Sequence, residues 1–160
     1  MGLSESYSPH EHKPLGGYAV ITAVFNGACA AYVAAYRRSG RPLPKRIPPA
    51  DVILLALGTH KLSRLIAKDR VTSFLRAPFT RYKGDSAASE VSEEARGEGL
   101  QRAVGQLVSC PYCLAQWVAA ALLASYLTRP RVTRTVATLF AIGSGADFLQ
   151  QAWSAVEKAA

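Results

Sequence analysis

Apolar positions along this chain pool in four blocks, with most of the charge lying between them. The sharpest block is 107–127, LVSCPYCLAQWVAAALLASYL, uncharged from end to end. The first, 15–36, LGGYAVITAVFNGACAAYVAAY, is also uncharged. A hydrocarbon core of about 30 Å takes about 20 residues of helix, so either block can cross it. The second block, 49–68, is apolar over 52–57 and then takes up His60, Lys61, Arg64 and Lys68. It spans if those long side chains run out to one surface. The fourth, 132–153, has its apolar body at 136–146. The predicted architecture is therefore all-α, an integral membrane bundle of four apolar helices. Ala23, Gly27, Ala31 and Ala35 recur every fourth residue on the first block, a spacing that lets helix backbones approach closely in lipid.

The intervening stretches set the domain plan. Residues 1–14 form a polar tail without the basic start of a signal peptide, so the first block is read as a retained N-terminal helix. Residues 37–48 are a basic, Pro-rich connector, and 49–153 form one membrane domain, followed by a short tail at 154–160. Within that domain 69–106 is a loop. Its first part, DRVTSFLRAPFTRYK, interleaves Arg70, Arg76, Arg81 and Lys83 with Phe74 and Phe79, the make-up of a strap lying on anionic headgroups. Its second part, GDSAASEVSEEARGEG, is acidic and rich in Ser and Gly, and is expected to be disordered or weakly helical.

Composition alone does not suggest a membrane, because 49% apolar residues is ordinary for a globular chain. The net charge of +8 has two common partners, nucleic acid and anionic lipid. The cations border the apolar blocks and no nucleic-acid motif is present, which selects the bilayer and its anionic headgroups. Seven Lys or Arg between Lys68 and Arg102 place the 69–106 loop in the cytoplasm. Association with another copy or with a membrane protein partner is the expected use of the small-residue stripes.

Two groups of residues could carry chemistry. Cys110-Pro111-Tyr112-Cys113 opens the third block. Pro111 suits a first helical position, which leaves Cys110 as the N-cap, where a thiolate is favoured. A dithiol couple, a half-site for zinc and a purely structural role are the alternatives. Zinc takes about four ligands, and His60 is the candidate third. No other cofactor is indicated. The second group is Lys61, Arg64 and Asp147, with His60 beside them. Ionisable groups at membrane depth tend to pair, so Asp147 is expected to meet Lys61 or Arg64.

The stretches THKLSRLIAKDRVTSFLRAPFTRY, SCPYCLAQWVAA and GADFLQ resemble the bacterial membrane proteins grouped as domain-of-unknown-function family 1360, which includes a sporulation-associated member. The matching positions run from His60, Lys61, Leu62, Arg64, Leu65 and Asp69 through Arg76, Pro78 and Phe79. They continue with Cys110, Cys113, Trp117, Asp147 and Phe148. The resemblance covers about residues 50–152 and implies three core membrane helices, with the first block an addition. It implies no reaction. The function expected is that of a non-enzymatic structural or assembly component of the cell membrane. A membrane thiol-redox or zinc protein and an oligomeric transporter subunit are the alternatives.

Overall fold

The computed structural model describes residues 7–8 and 13–159; residues 1–6, 9–12 and 160 lie outside the described residues, and with them most of the predicted N-terminal tail. The chain is mostly helical. Its elements are α1 (Leu15–Arg38), α2 (Pro49–Lys68), a 3₁₀ turn (Arg70–Thr72) and α3 (Ser73–Arg76). A strand pair, β1 (Thr80–Ala87) and β2 (Glu90–Ala95), follows, and then α4 (Gly99–Val108), α5 (Pro111–Thr128) and α6 (Pro130–Ala159). They sort into two compact units, residues 1–40 with 66–114 and residues 41–65 with 115–160.

The first unit corrects two expectations. The acidic stretch after Lys83 is not disordered, and the fold is not all-α. β1 and β2 pair antiparallel around a turn at Ala88–Ser89, with Thr80 opposite Ala95 and Ala87 opposite Glu90. The pair carries exposed ion pairs. Lys83 Nζ lies 2.6 Å from Glu94 Oε2 on the facing strand, and Arg70 lies 2.8 Å from Asp85. The Lys83 bond keeps the Glu94 carboxyl below the ordinary carboxylate range, while the Tyr82 hydroxyl, donating 2.9 Å to Asp85, is pushed up. Val91 and Thr80 turn inward and are buried. A composition too polar for a core of its own is thus ordered by cross-strand pairs and by packing on a helix.

That helix is α4. Gly105 lies against the Phe79 carbonyl and Ala95 so closely that a side chain there would collide with both. α1 meets α4 through another glycine. A Cβ on Gly17 would stand 2.6 Å from the Ala103 Cβ, and the neighbouring Tyr18 hydroxyl donates 2.5 Å to Gln106 Oε1.

Arg76 organises this unit. It was expected on a lipid-facing strap, yet it is wholly buried. Its Nε donates to Glu93 Oε2, Nη1 donates 2.6 Å to the Ile66 carbonyl and 2.8 Å to Thr72 Oγ1, and Nη2 donates 3.0 Å to the Asp69 carbonyl. The Ile66 carbonyl is one of the last four of α2, which lack intrahelical donors. One guanidinium therefore caps α2, fixes the 3₁₀ turn and pins β2. Burial of the charge is compensated by Glu93, whose side chain is 5% exposed.

The second unit packs three helices, the 49–65 part of α2, the 115–128 part of α5, and α6. α2 and α6 run the same way, as shown by the succession Asp51 to Arg134, Gly58 to Ala137 and Lys61 to Asp147. α5 runs against them, bringing Tyr126 near its end to Asp51 at the start of α2. α2 and α6 cross at Gly58, where a Cβ would already touch the Cα, Cβ and carbonyl oxygen of Ala137 at 3.4 Å.

The predicted third helix begins later than its apolar run. Ser109 caps α4, with its N–H on the Gly105 carbonyl at 3.1 Å, and Pro111 opens α5. Residues 107–127 are therefore not one helix. Among the described residues α1 alone is long and apolar enough to cross a membrane, and α4 with α5 reaches that standard only as a pair bent at their break. α2 falls short because Asp51, Lys61, Arg64 and Lys68 lie within its 20 residues.

Candidate functional site

The break between α4 and α5 presents Cys110 and Cys113. Cys110 closes it, with its N–H on the Leu107 carbonyl at 3.3 Å, and its own carbonyl accepts from Leu114 at 3.0 Å as the first bond of α5. Its sulfur accepts from the Cys113 N–H at 3.2 Å. This is an N-cap in which sulfur takes the place that Ser or Asp oxygen usually fills. Pro111 lacks an N–H and loses nothing at the first helical position. Both thiols are free; Cys110 is half-buried and Cys113 exposed. No three of His, Cys, Asp and Glu are grouped for a metal among the described residues.

The strap residues sit on the same unit, and of them Arg76 is not on its surface. Phe74 is 70% exposed beside Val71 at 77%, whereas Arg76 is the buried anchor just described. Phe79 is half-buried, and Arg81 is exposed on β1. Arg70 and Lys83 are exposed and committed to Asp85 and Glu94. Phe74, Tyr82, Val91 and Glu93 line a cavity of about 560 Å³ beside the hairpin.

The second unit joins its helices through polar contacts, some of them buried. At one end Asp51, itself buried, accepts two bonds from Arg134, 2.8 Å from Nε and 2.7 Å from Nη2, and a third at 2.5 Å from the Tyr126 hydroxyl. The Arg134 guanidinium also lies 5.4 Å from the Tyr126 ring centroid. Beside this cluster Ser125 and Thr133 share a 2.7 Å bond. Further along, Ser144, fully buried, donates 3.0 Å to the Leu57 carbonyl and sits 3.4 Å from His60 Nδ1. His60 stacks on Phe148 at 5.6 Å. Finally Lys61 Nζ stands 2.6 Å from Asp147 Oδ2, with the Lys61 stem crossing Gly143. Of the two cations considered as partners for Asp147, Lys61 is the one brought to it, while Arg64 is half-buried elsewhere on α2.

The Asp51–Tyr126–Arg134 cluster escaped the sequence reading, since an acid in the first turn of a helix is already accounted for by the helix dipole. Its partners lie 75 and 83 residues away. The available signal was a lone acid opening a helix whose next residues, 52–57, are all apolar.

A family model described as "Protein of unknown function (DUF1360)" matches residues 54–153, which runs from α2 into α6 and omits α1. The chain is 28% identical over 102 residues to "Sporulation protein YjcA" of Bacillus subtilis, covering 62% of this chain and 86% of that protein. It is 28% identical over 104 residues to "UPF0713 protein YngL" of the same organism, covering 62% of this chain and 75% of that protein. No solved structure matches it.

Proposed function

The chain belongs to the DUF1360 family, described without a function, and from that premise we propose that it is a multi-pass protein of the cell membrane serving as a structural or assembly component rather than an enzyme. One observation carries this reading. The second unit buries Asp51, Ser63, Thr133 and Ser144 while leaving Val52, Ile53, Val132, Leu139 and Ile142 more than half exposed. In water that distribution wastes the hydrophobic effect and desolvates polar groups. In lipid it is the economical one, because apolar side chains face hydrocarbon and polar groups satisfy one another inside. The close approach of α2 and α6 at Gly58 and Ala137 suits the same solvent, where small residues drive helix contact.

On this reading α1, α2, α5 and α6 cross the bilayer, and the folded segment 69–106 stands on the cytoplasmic side as a subdomain rather than a loop. The polar contacts of the second unit tie three helices together, which favours assembly. The name of one relative, a sporulation protein, agrees with a role in building a membrane structure. Full-length protein expressed in a bacterial host is expected to remain in the membrane pellet through alkaline carbonate and urea washes and to enter solution only with detergent. Release by carbonate would overturn the reading.

A further inference from the structure

We propose that Cys110 and Cys113 form a redox-active dithiol that exchanges electrons with a thiol–disulfide couple of the aqueous phase. The inference does not rest on the membrane reading. Four observations lead to it. The two sulfurs stand three positions apart at one helix start, where side chains are near neighbours, with Cβ atoms about 5–6 Å apart. A disulfide needs them at about 3.5–4.5 Å, so closure takes a small movement at the α4–α5 break and gives a bond under strain. Strained, accessible disulfides are the reducible ones. Secondly, the Cys113 N–H already points at Cys110 Sγ from 3.2 Å, so a negative charge on that sulfur has a donor waiting. Thirdly, Cys113 is exposed and open to an incoming group, while Cys110 is half-buried behind it. Finally, among the described residues no third metal-ligating side chain is grouped with the pair.

The division of labour follows. In the oxidised form a thiolate RS⁻ attacks the exposed Cys113 sulfur. The S–S bond breaks, and Cys110 departs as the thiolate accepted by the Cys113 N–H and the α5 N-terminus. A second RS⁻ attacks the R sulfur of the mixed disulfide, forming RSSR and releasing Cys113 as a thiolate. Two external thiolates are oxidised to one disulfide and one protein disulfide is reduced to two thiolates, so the electrons balance. The reverse sequence oxidises the protein at the expense of RSSR. A cap with only a structural task needs neither the exposed second sulfur nor reversibility.

The test uses the full chain in detergent with Cys29→Ser, a position in α1 remote in sequence from the pair. The probe is glutathione, reduced and oxidised, and the readout is the number of alkylated thiols by mass. A reversible transition between two alkylated thiols and none is expected. It should pass from about one tenth to nine tenths oxidised over a roughly hundredfold change in the ratio of squared glutathione to glutathione disulfide, as a two-electron couple requires. Cys110→Ser should accumulate a glutathione adduct on Cys113, and Cys113→Ser should react at least about tenfold more slowly, because its remaining sulfur is half-buried. Two thiols alkylated at every ratio would overturn the proposal. So would stoichiometric zinc that protects both thiols, or oxidation recovered only as cross-linked dimers.

Discussion

Arg76→Ala is expected to cost the first unit about 3–5 kcal/mol, the range for removing one partner of a buried ion pair. The loss is large because three kinds of group lose a partner together. Glu93 keeps a buried carboxylate without its cation. The Ile66 carbonyl loses its donor just where α2 ends, and the Asp69 carbonyl and Thr72 Oγ1 each lose one bond while keeping the one they share. Arg76→Lys should recover little, since one ammonium cannot reproduce the planar fork that reaches four acceptors in different directions. Glu93→Gln should cost less than Arg76→Ala, because an amide oxygen can still accept from Nε. The readout is hydrogen exchange in detergent, resolved by segment. Faster exchange across Thr80–Ala87 and Glu90–Ala95 is expected, with α6 unchanged. Wild-type protection of the hairpin in Arg76→Ala would remove the guanidinium from its assigned place.

Ala137→Leu is expected to destabilise the second unit by about 1–3 kcal/mol, the usual cost of forcing extra methylenes into a packed site. Ala137 is fully buried, and its Cα, Cβ and carbonyl oxygen already sit at van der Waals distance from where a Gly58 Cβ would be. A leucine has no room unless α2 and α6 move apart, which would stretch Ser144 from the Leu57 carbonyl. The reverse exchange, Leu139→Ala, on the 67% exposed face, should leave thermal unfolding in detergent within about 0.5 kcal/mol of the parent. Equal losses at the two positions would contradict the inward and outward faces assigned to α6.

The helices were legible in the sequence because apolar runs of this length admit few alternatives. Block two ends where α2 does, at Lys68, and block one misses only the last turn of α1. Block three misled because hydropathy is continuous across Ser109 and Cys110, whereas the backbone is not; Pro111 held the correct boundary. The hairpin was hidden for a different reason. Its two-residue turn is Ala88–Ser89, without the Gly or Asn that usually announces one. Its inward residues are few, and its Lys83–Glu94 ion pair forms where the strand register is irregular. Long-range polar contacts were legible where the candidates were scarce. Asp147 has few cations it could meet, and Lys61 lies against it. Arg76 looked like every other exposed arginine, because burial of a charge is decided by its acceptors, and two of those are backbone carbonyls that carry no sequence signature.

Central to the account is that the apolar outer face of the second unit lies in hydrocarbon. Single cysteines at Ile53, Leu139 and Ile142 test it most directly, placed in a chain whose native Cys29, Cys110 and Cys113 are serine. They are treated in native membranes with a membrane-impermeant maleimide, with Ala88→Cys at the hairpin turn as the water-exposed reference. All three positions are more than 60% exposed in the protein alone. The account predicts that they resist labelling until the membrane is dissolved and the chain denatured, while position 88 labels once the reagent is admitted to the cytoplasmic side. Labelling of Ile53, Leu139 and Ile142 as complete as that of position 88 in intact membranes would contradict it.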